Sequence, residues 1–316
     1  MSVQLIPLDD DRFDEWRDAT RTRLIRLRQE SGILLGDDAV ADADAFLDQL
    51  LPEGRATETS SIVRLDDGGH EIGTLWMMAA GDILHLVDLA LVDALEQRMR
   101  DDLFEAITTM ARTHGIERLR VSLYSSDTAG HAFVDGRGFD CASIRMLLEP
   151  LPARDSTVAA VELKSMTQER FVAFAAASEA AFADDLVASG RYSAQEARTE
   201  SRRQMALELP DGLDSPGQEL FTAHVDDAEV GVLWIGIRER DGRRHVFILD
   251  IEVRAEYRRR GYGRAMMLAT EHEAHRLGAE SIGLHVFGFN DGAIRLYEGL
   301  GYRRVEERFV LDVPSR

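Results

Sequence analysis

Apolar residues recur at helical spacing over 167–183 and 193–208, and the pattern then changes to short runs of Val, Ile, Leu and Phe. The two periodic stretches are predicted helices. Thr167 stands before Gln168 and Glu169 as a cap, and Ser193 with Glu196 three residues on reads as a capping box. Runs at 219–226, 229–237 and 245–254 are predicted strands, the last two joined through the turn-forming segment at 239–244. A helix over 262–277 closes at Gly278, a residue suited to the left-handed position after a helix; a strand at 281–287, a helix at 291–299 and a strand at 302–312 follow. The order is that of a mixed α/β domain whose first two helices precede its sheet.

The same order occurs earlier in the chain. Arg12-Phe13 matches Arg170-Phe171, Ser31-Gly32 matches Ser189-Gly190, LPEG at 51–54 matches LPDG at 209–212, and IGTLW at 72–76 matches VGVLW at 230–234. These pairs share an offset of 158, which becomes 162 at DLALV (88–92) over DIEVR (250–254) and 163 at GRGF (136–139) over GLGY (299–302). An offset held across more than 60 residues, and changing where turn residues lengthen a hairpin, marks an internal duplication. Two domains follow, 1–155 and 156–316, with the Pro-containing segment around 149–162 as their junction.

Composition narrows the class. With 316 residues, 45% hydrophobic and 30% charged, the chain has the make-up of a soluble globular protein of two domains. No apolar run of about 18 residues is present, and the acidic N-terminus lacks the layout of a secretory signal, so a cytoplasmic protein without a membrane span is expected. Cys141 is the single cysteine, which removes internal disulfides and cysteine-ligated metal. The net charge of −20 argues against nucleic acid and anionic lipid as partners and favours cations. It is uneven: 1–158 carries −14 and 159–316 carries −6. Much of the second half's positive charge is concentrated in VRAEYRRRGYGRA, with Arg254, Arg258, Arg259, Arg260 and Arg264.

That segment lies between a predicted strand and a predicted helix. Amide N–H groups at a helix start lack intrahelical partners and point outward with the positive end of the dipole, so a phosphate can be held there, and Gly261 and Gly263 allow its close approach. A dinucleotide fingerprint fits less well, because Met266 stands where its third glycine would be.

In this context the second half resembles the GNAT superfamily of acetyl-coenzyme A-dependent N-acetyltransferases. The resemblance is carried by DIEV at 250–253, Arg258 with Gly261 and Gly263, the helix after them, GLHVF at 283–287, Asn290, Ala293, Tyr297 and Gly301-Tyr302, in that order. It implies two tandem domains, each a mixed, mostly antiparallel sheet flanked by helices. It also implies acetyl-CoA as co-substrate with no metal, main-chain contacts from Ile251, Glu252 and Val253 to the acetyl and pantetheine part, and a pyrophosphate cradle at Arg258, Arg259, Arg260, Gly261, Tyr262, Gly263 and Arg264. Asn290, Ala293 and Tyr297 complete the implied cofactor set. The reaction, attack of a primary amine on a thioester, needs a base for the amine and a proton for the leaving thiolate. Tyr297 is the candidate acid, Asp250 or Glu252 the candidate base, and His285 a further base candidate.

The first half departs from this pattern. At the local offset Arg258, Gly261 and Gly263 become Glu96, Met99 and Asp101, while Asn290 becomes Asp127 and Tyr297 becomes Val134. The expected protein is therefore an acyltransferase acting on a small cationic amine, with one working site in the second half and a first half that keeps the fold without binding acetyl-CoA. A non-catalytic sensor of acetyl-CoA or a small amine is the alternative. A duplicated chain of this kind is expected as a monomer that forms its own pseudo-dimer, or as a homodimer.

Overall fold

The computed structural model describes residues 3–92, 95–153, 161–190 and 192–313. Part of the predicted junction, 154–160, lies outside them. In chain order the first copy forms β1 (Gln4–Pro7), α1 (Phe13–Ser31), α2 (Gly36–Leu50), β2 (Ser60–Asp67), β3 (His70–Ala80), β4 (Ile83–Leu91), α3 (Gln97–Thr113), β5 (Arg118–Tyr124), α4 (Thr128–Val134) and β6 (Asp140–Leu148). The second copy repeats the series as β7 (Glu162–Ser165), α5 (Gln168–Ala188), α6 (Ala194–Glu208), β8 (Gln218–Val225), β9 (Ala228–Arg240), β10 (Arg243–Val253), α7 (Tyr262–Arg276), β11 (Ser281–Phe287), α8 (Asp291–Glu298) and β12 (Arg303–Asp312).

Local chemistry sets these bounds. Thr167 accepts from the Arg170 N–H, and Ser193 and Glu196 form the reciprocal capping box. Asp241 and Gly242 both have positive φ (53° and 67°), as a type I′ hairpin requires, so β9 and β10 pair up to the turn itself and β9 runs three residues past its predicted end at 237. Gly278 takes φ 70° after α7. The four-residue strands β1 and β7 carry too little pattern to be seen in the sequence.

The compact units differ from the sequence repeats. One unit is residues 1–142 with 305–316, the other 143–304. The first contains the strands β1-β2-β3-β4-β5-β12 in spatial order, the second β7-β8-β9-β10-β11-β6. The division at 155/156 thus follows the duplication but not the packing, because the last strand of each copy finds its ladder in the other copy's unit. β12 pairs antiparallel with β5 (Glu306 opposite Tyr124), and β6 with β11 (Phe287 opposite Ser143). Within each unit one strand pair is parallel, β4 with β5 and β10 with β11, each joined by a helix, and the other pairs are antiparallel.

In the first unit α1 packs on the sheet through Trp16, which meets the fully buried Trp76 of β3 edge-on at 5.6 Å; in the second, Phe174 of α5 meets Trp234 of β9 in the same manner at 6.2 Å. The glycine preceding each of these tryptophans has a steric reason. A Cβ on Gly73 would lie 2.2 Å from the Ala90 carbonyl oxygen, and one on Gly231 would lie 2.3 Å from that of Glu252. Gly231→Ala is therefore expected to cost about 2 kcal/mol or more by forcing β9 from β10, and Gly73→Ala to do the same in the first unit; urea unfolding of each variant measures it.

Candidate active site

In the second unit the parallel pair β10 and β11 is hydrogen-bonded from His245 opposite Ser281 to Ile248 opposite Leu284. Both strands continue past that point, β10 to Val253 and β11 to Phe287, while their mutual ladder ends. A bulge lies there: Ile248 faces Ile235 on β9 and Asp250 faces Trp234, leaving Leu249 as an extra residue. One inserted residue reverses the alternation of a strand, so Asp250 and Glu252 come onto the Trp234 side, beneath α5. The result is a wedge opening between two strand ends, with α5 over one face.

Asp250 is half-buried in that wedge, and its Oδ2 accepts from the Ser178 hydroxyl of α5 at 2.6 Å. Burial raises the Asp250 carboxyl above its ordinary range, the Ser178 hydrogen bond works against the rise, and the negative charges of Glu252 and Asp185 add to it. Asp185, one turn from the end of α5, is likewise raised by burial and by Asp184 beside it. Tyr297 of α8 is buried, its ring 6.0 Å from that of Tyr302. Burial pushes its phenol up to about 12, with the Asp250 charge contributing in the same direction. A phenol held so high keeps its proton at neutral pH and is a donor.

The other candidates are placed as follows. Glu252 is exposed and accepts from Arg258 at 2.9 Å, so its carboxylate is turned to the loop. His285 lies on β11 opposite Arg145 with its ring 5.4 Å from Phe287. Asn290 caps α8, its side-chain oxygen accepting from the Ala293 N–H at 3.2 Å. Ile251 and Val253 stand in the end of β10 that remains paired with β9 but no longer with β11. Ser178 and Asp185 escaped the sequence reading, since a serine and an aspartate on an amphipathic helix carry no signal until the helix is laid over the strand.

The loop from β10 to α7 is held by its own residues. Arg258 Nε donates to the Val253 carbonyl at 2.9 Å, Arg259 adopts φ 63°, Arg260 lies over the Tyr257 ring at 5.7 Å, and Gly261 adopts φ 85° as the N-cap of α7. The first main-chain bond of the helix runs from Ala265 N–H to Gly261 O, so the amides of Tyr262, Gly263 and Arg264 face out of its start. Gly261 needs glycine for its conformation, as a Cβ there would meet nothing within 4 Å. A Cβ on Gly263 would touch Leu296 at 3.5 Å and Val253 at 3.9 Å, ordinary contacts that an alanine could make. Arg258, Arg259, Arg260 and Arg264 are exposed around these amides. The cradle suits a pyrophosphate in shape and charge.

The first unit keeps the wedge and closes it. β4 and β5 are laddered from Ile83 opposite Arg118 to Leu86 opposite Val121 and then part, with Val87 as the extra residue and Asp88 opposite Trp76. Into this opening α1 sends Arg23. Its guanidinium bonds to the Asp88 carboxylate, to Asp127 at 2.8 Å and to the Leu89 carbonyl at 3.1 Å, with both carboxylates buried. Asp88 is raised to about 6, chiefly by burial, with Arg23 working against the rise and Asp127 adding to it. Asp88, Leu89 and Asp127 are the counterparts of Asp250, Ile251 and Asn290, whereas Arg23 corresponds to Ala181, and α5 has no basic residue from 171 to 188. At the other end of the opening α3 begins at Gln97, so Met99 and Asp101 fall within its first turns and no left-handed glycine cap exists.

Comparison with known proteins agrees with this architecture. The acetyltransferase (GNAT) family profile matches residues 181–302. An uncharacterized N-acetyltransferase of Bacillus subtilis (strain 168), YdgE, is 31% identical over 144 residues, covering 45% of this chain and 92% of that protein. A second from the same organism, YycN, is 27% identical over 147 residues, 46% of this chain and 94% of that protein. The crystal structure of a GCN5-related N-acetyltransferase from Sphaerobacter thermophilus shares the fold along 99% of this chain and 96% of its own, with a TM-score of 0.50 at 17% identity. The chain belongs to the GNAT family, as a tandem member, and is an acyltransferase of the N-acetyltransferase kind. No described helix is long and apolar enough to cross a membrane.

The closed wedge makes a stability prediction. Arg23→Ala leaves two buried carboxylates without their cation and is expected to cost about 3–5 kcal/mol. Combining Arg23→Met with Asp88→Asn and Asp127→Asn should recover much of the loss. Chemical unfolding midpoints of the single and triple variants check both statements.

Proposed function

We propose that the protein transfers the acetyl group of acetyl-CoA to the primary amine of a small cationic acceptor, at one site per chain, in the second unit. The observation that carries this reading is the wedge between β10 and β11: it brings a half-buried carboxylate near a buried phenol, and β10 runs on from it into a loop of arginines and outward amides. Acetyl-CoA, when bound, supplies the thioester; the rest is the work of this chain. The loop at 258–264 provides charge and N–H donors for a pyrophosphate, and the edge of Ile251 to Val253 that β11 no longer pairs offers strand-like hydrogen bonds to an extended amide-bearing arm.

Asp250 is the better base of the two strand acids. Its raised pKa brings it nearer neutrality, where a base is most effective, whereas Glu252 is committed to Arg258 at the surface. Ser178 fixes the orientation of the carboxylate. Tyr297 holds a proton at its Oη, available to a departing thiolate in the same desolvated space; as a phenol at about 12 it acts first as a strong hydrogen-bond donor to the developing charge. The carboxylates of Asp250, Asp185 and Glu252 near the opening attract an ammonium and repel an acid, so a cationic acceptor is favoured and its rate should fall with added salt. The first unit, closed by Arg23 and lacking the cap, is assigned a structural role.

Calorimetric titration is expected to find one acetyl-CoA per chain, and two equivalent sites would contradict the assignment. Tyr297→Phe keeps the ring but loses the donor, so kcat should fall roughly 10- to 1000-fold with little change in acetyl-CoA affinity. The plot of kcat/KM against pH should rise as Asp250 deprotonates, along a limb displaced above the ordinary carboxylate range because burial favours the protonated form. Asp250→Asn should abolish that limb; a limb that persists unchanged would move the base to Glu252, His285 or water.

A further inference from the structure

On α5, Ser178, Phe182 and Asp185 are spaced four and three residues apart and so share one stripe of the helix. Two of them touch the two sides of the wedge. Ser178 reaches Asp250 on β10, and the Phe182 ring lies 6.2 Å from that of Phe287 on β11. Ser178, which holds the acid, and Phe182, which meets the aromatic group, are therefore about 6 Å apart along the helix axis. Phe287 is itself buried, and on it Phe289 is stacked face to face, with centroids 5.5 Å apart and planes 9° apart. Phe289 remains 53% exposed.

This arrangement is wasteful unless it has an occupant. A single exposed apolar side chain is ordinary on a protein surface. Here, however, the exposed ring continues a stack that starts at Phe182, one helical turn from the Ser178 that holds Asp250, and it stands one residue before the Asn290 cap of α8. From the rim inward the wall reads Phe289, Phe287, Phe182, and the acid lies one helical turn away. A linear diamine would cover little of that wall. A flat apolar body on a short tether would cover the exposed Phe289 ring while its ammonium reached Asp250.

We infer that the acceptor is an amine with an aromatic or flat apolar body on a short alkyl tether, and that Phe289 is the residue that selects for it. The inference rests on the acetyl transfer proposed above for the second unit and names the class of its acceptor. Asp250 binds the ammonium and removes its proton, Phe287 and Phe289 hold the body, and Asp185 keeps anionic amines away.

The test is a steady-state comparison of 2-phenylethylamine with 1,4-diaminobutane, with free thiol release from acetyl-CoA as the readout, for the wild type, Phe289→Ala and Phe289→Tyr. The wild type should favour the aromatic amine in kcat/KM by about 10-fold or more, the range one well-covered ring supplies. Phe289→Ala should lower that preference about 10-fold through the KM of the aromatic amine, and Phe289→Tyr should retain it. A wild type that prefers the diamine, or a Phe289→Ala change that affects both amines equally, overturns the inference and leaves acetyl transfer standing. If neither amine, nor any in a wider panel of primary amines, accepts acetyl from enzyme that binds acetyl-CoA, both readings fall together.

Discussion

Each unit is organised around a parallel strand pair that cannot stay paired to its end. A crossover helix joins β4 to β5, and β10 to β11, which then run side by side for four residue pairs; a single extra residue in the first strand lies where that pairing ends. The candidate site of the second unit and its closed counterpart in the first are both arranged about that parting. A strand end without its ladder exposes main-chain groups that have to be satisfied from elsewhere. The bulge also reverses the side-chain alternation, and so brings an aspartate, Asp88 or Asp250, under the first helix of its copy. A sheet that stayed closed would have neither the slot nor the buried acid.

The two copies answer the same constraint differently. In the first, the missing partner is a side chain of the protein itself: Arg23 donates to the Leu89 carbonyl and binds both acids that line the opening. In the second, the corresponding helix position is Ala181, exposed and too short to enter, and Asp250 is left with a serine hydroxyl, which orients a carboxylate without neutralising it. The charge balance of the halves follows this division. The second half keeps its arginines in the loop before α7, exposed around the start of that helix, whereas the first half uses Arg23 internally and places Glu96 and Asp101 at the start of α3.

Much of this was legible in the sequence because it is local. The caps at Thr167 and Ser193, the Asp241-Gly242 turn and the glycine after α7 each act through neighbours within a few residues, and each lies where the pattern put it. The duplication was visible because steric requirements recur: Gly73 and Gly231 both face a carbonyl oxygen on the next strand. The exchange of β6 and β12 was not visible, since a strand's own residues do not say which edge it will join. The bulges were equally hidden; Leu249 is an unremarked apolar residue in an apolar run, and only the register against β9 shows that it is the extra one. For the same reason Ser178 and Arg23 could not be found, being separated from their partners by 72 and 65 residues.

The closed and open wedges are also internally consistent sets, which explains why the substitutions between the copies come together. Asp127 performs the same capping duty as Asn290, accepting from the Gly130 N–H at 3.0 Å, but its second oxygen also binds Arg23. An asparagine there would preserve the cap and leave Arg23 with one buried acid and a repulsive amide edge. Conversely, an aspartate at 290 would keep α8 capped, and at this exposed position it would add a negative charge that no arginine of α5 is present to meet. Neither position can change alone without penalty, and the arginine on the first helix can exist only with the aspartate on the last. Closing the opening with a guanidinium thus rests on two residues that differ between the copies, Arg23 on α1 and Asp127 at the start of α4, while the aspartate that the bulge brings under the first helix, Asp88 or Asp250, is common to both.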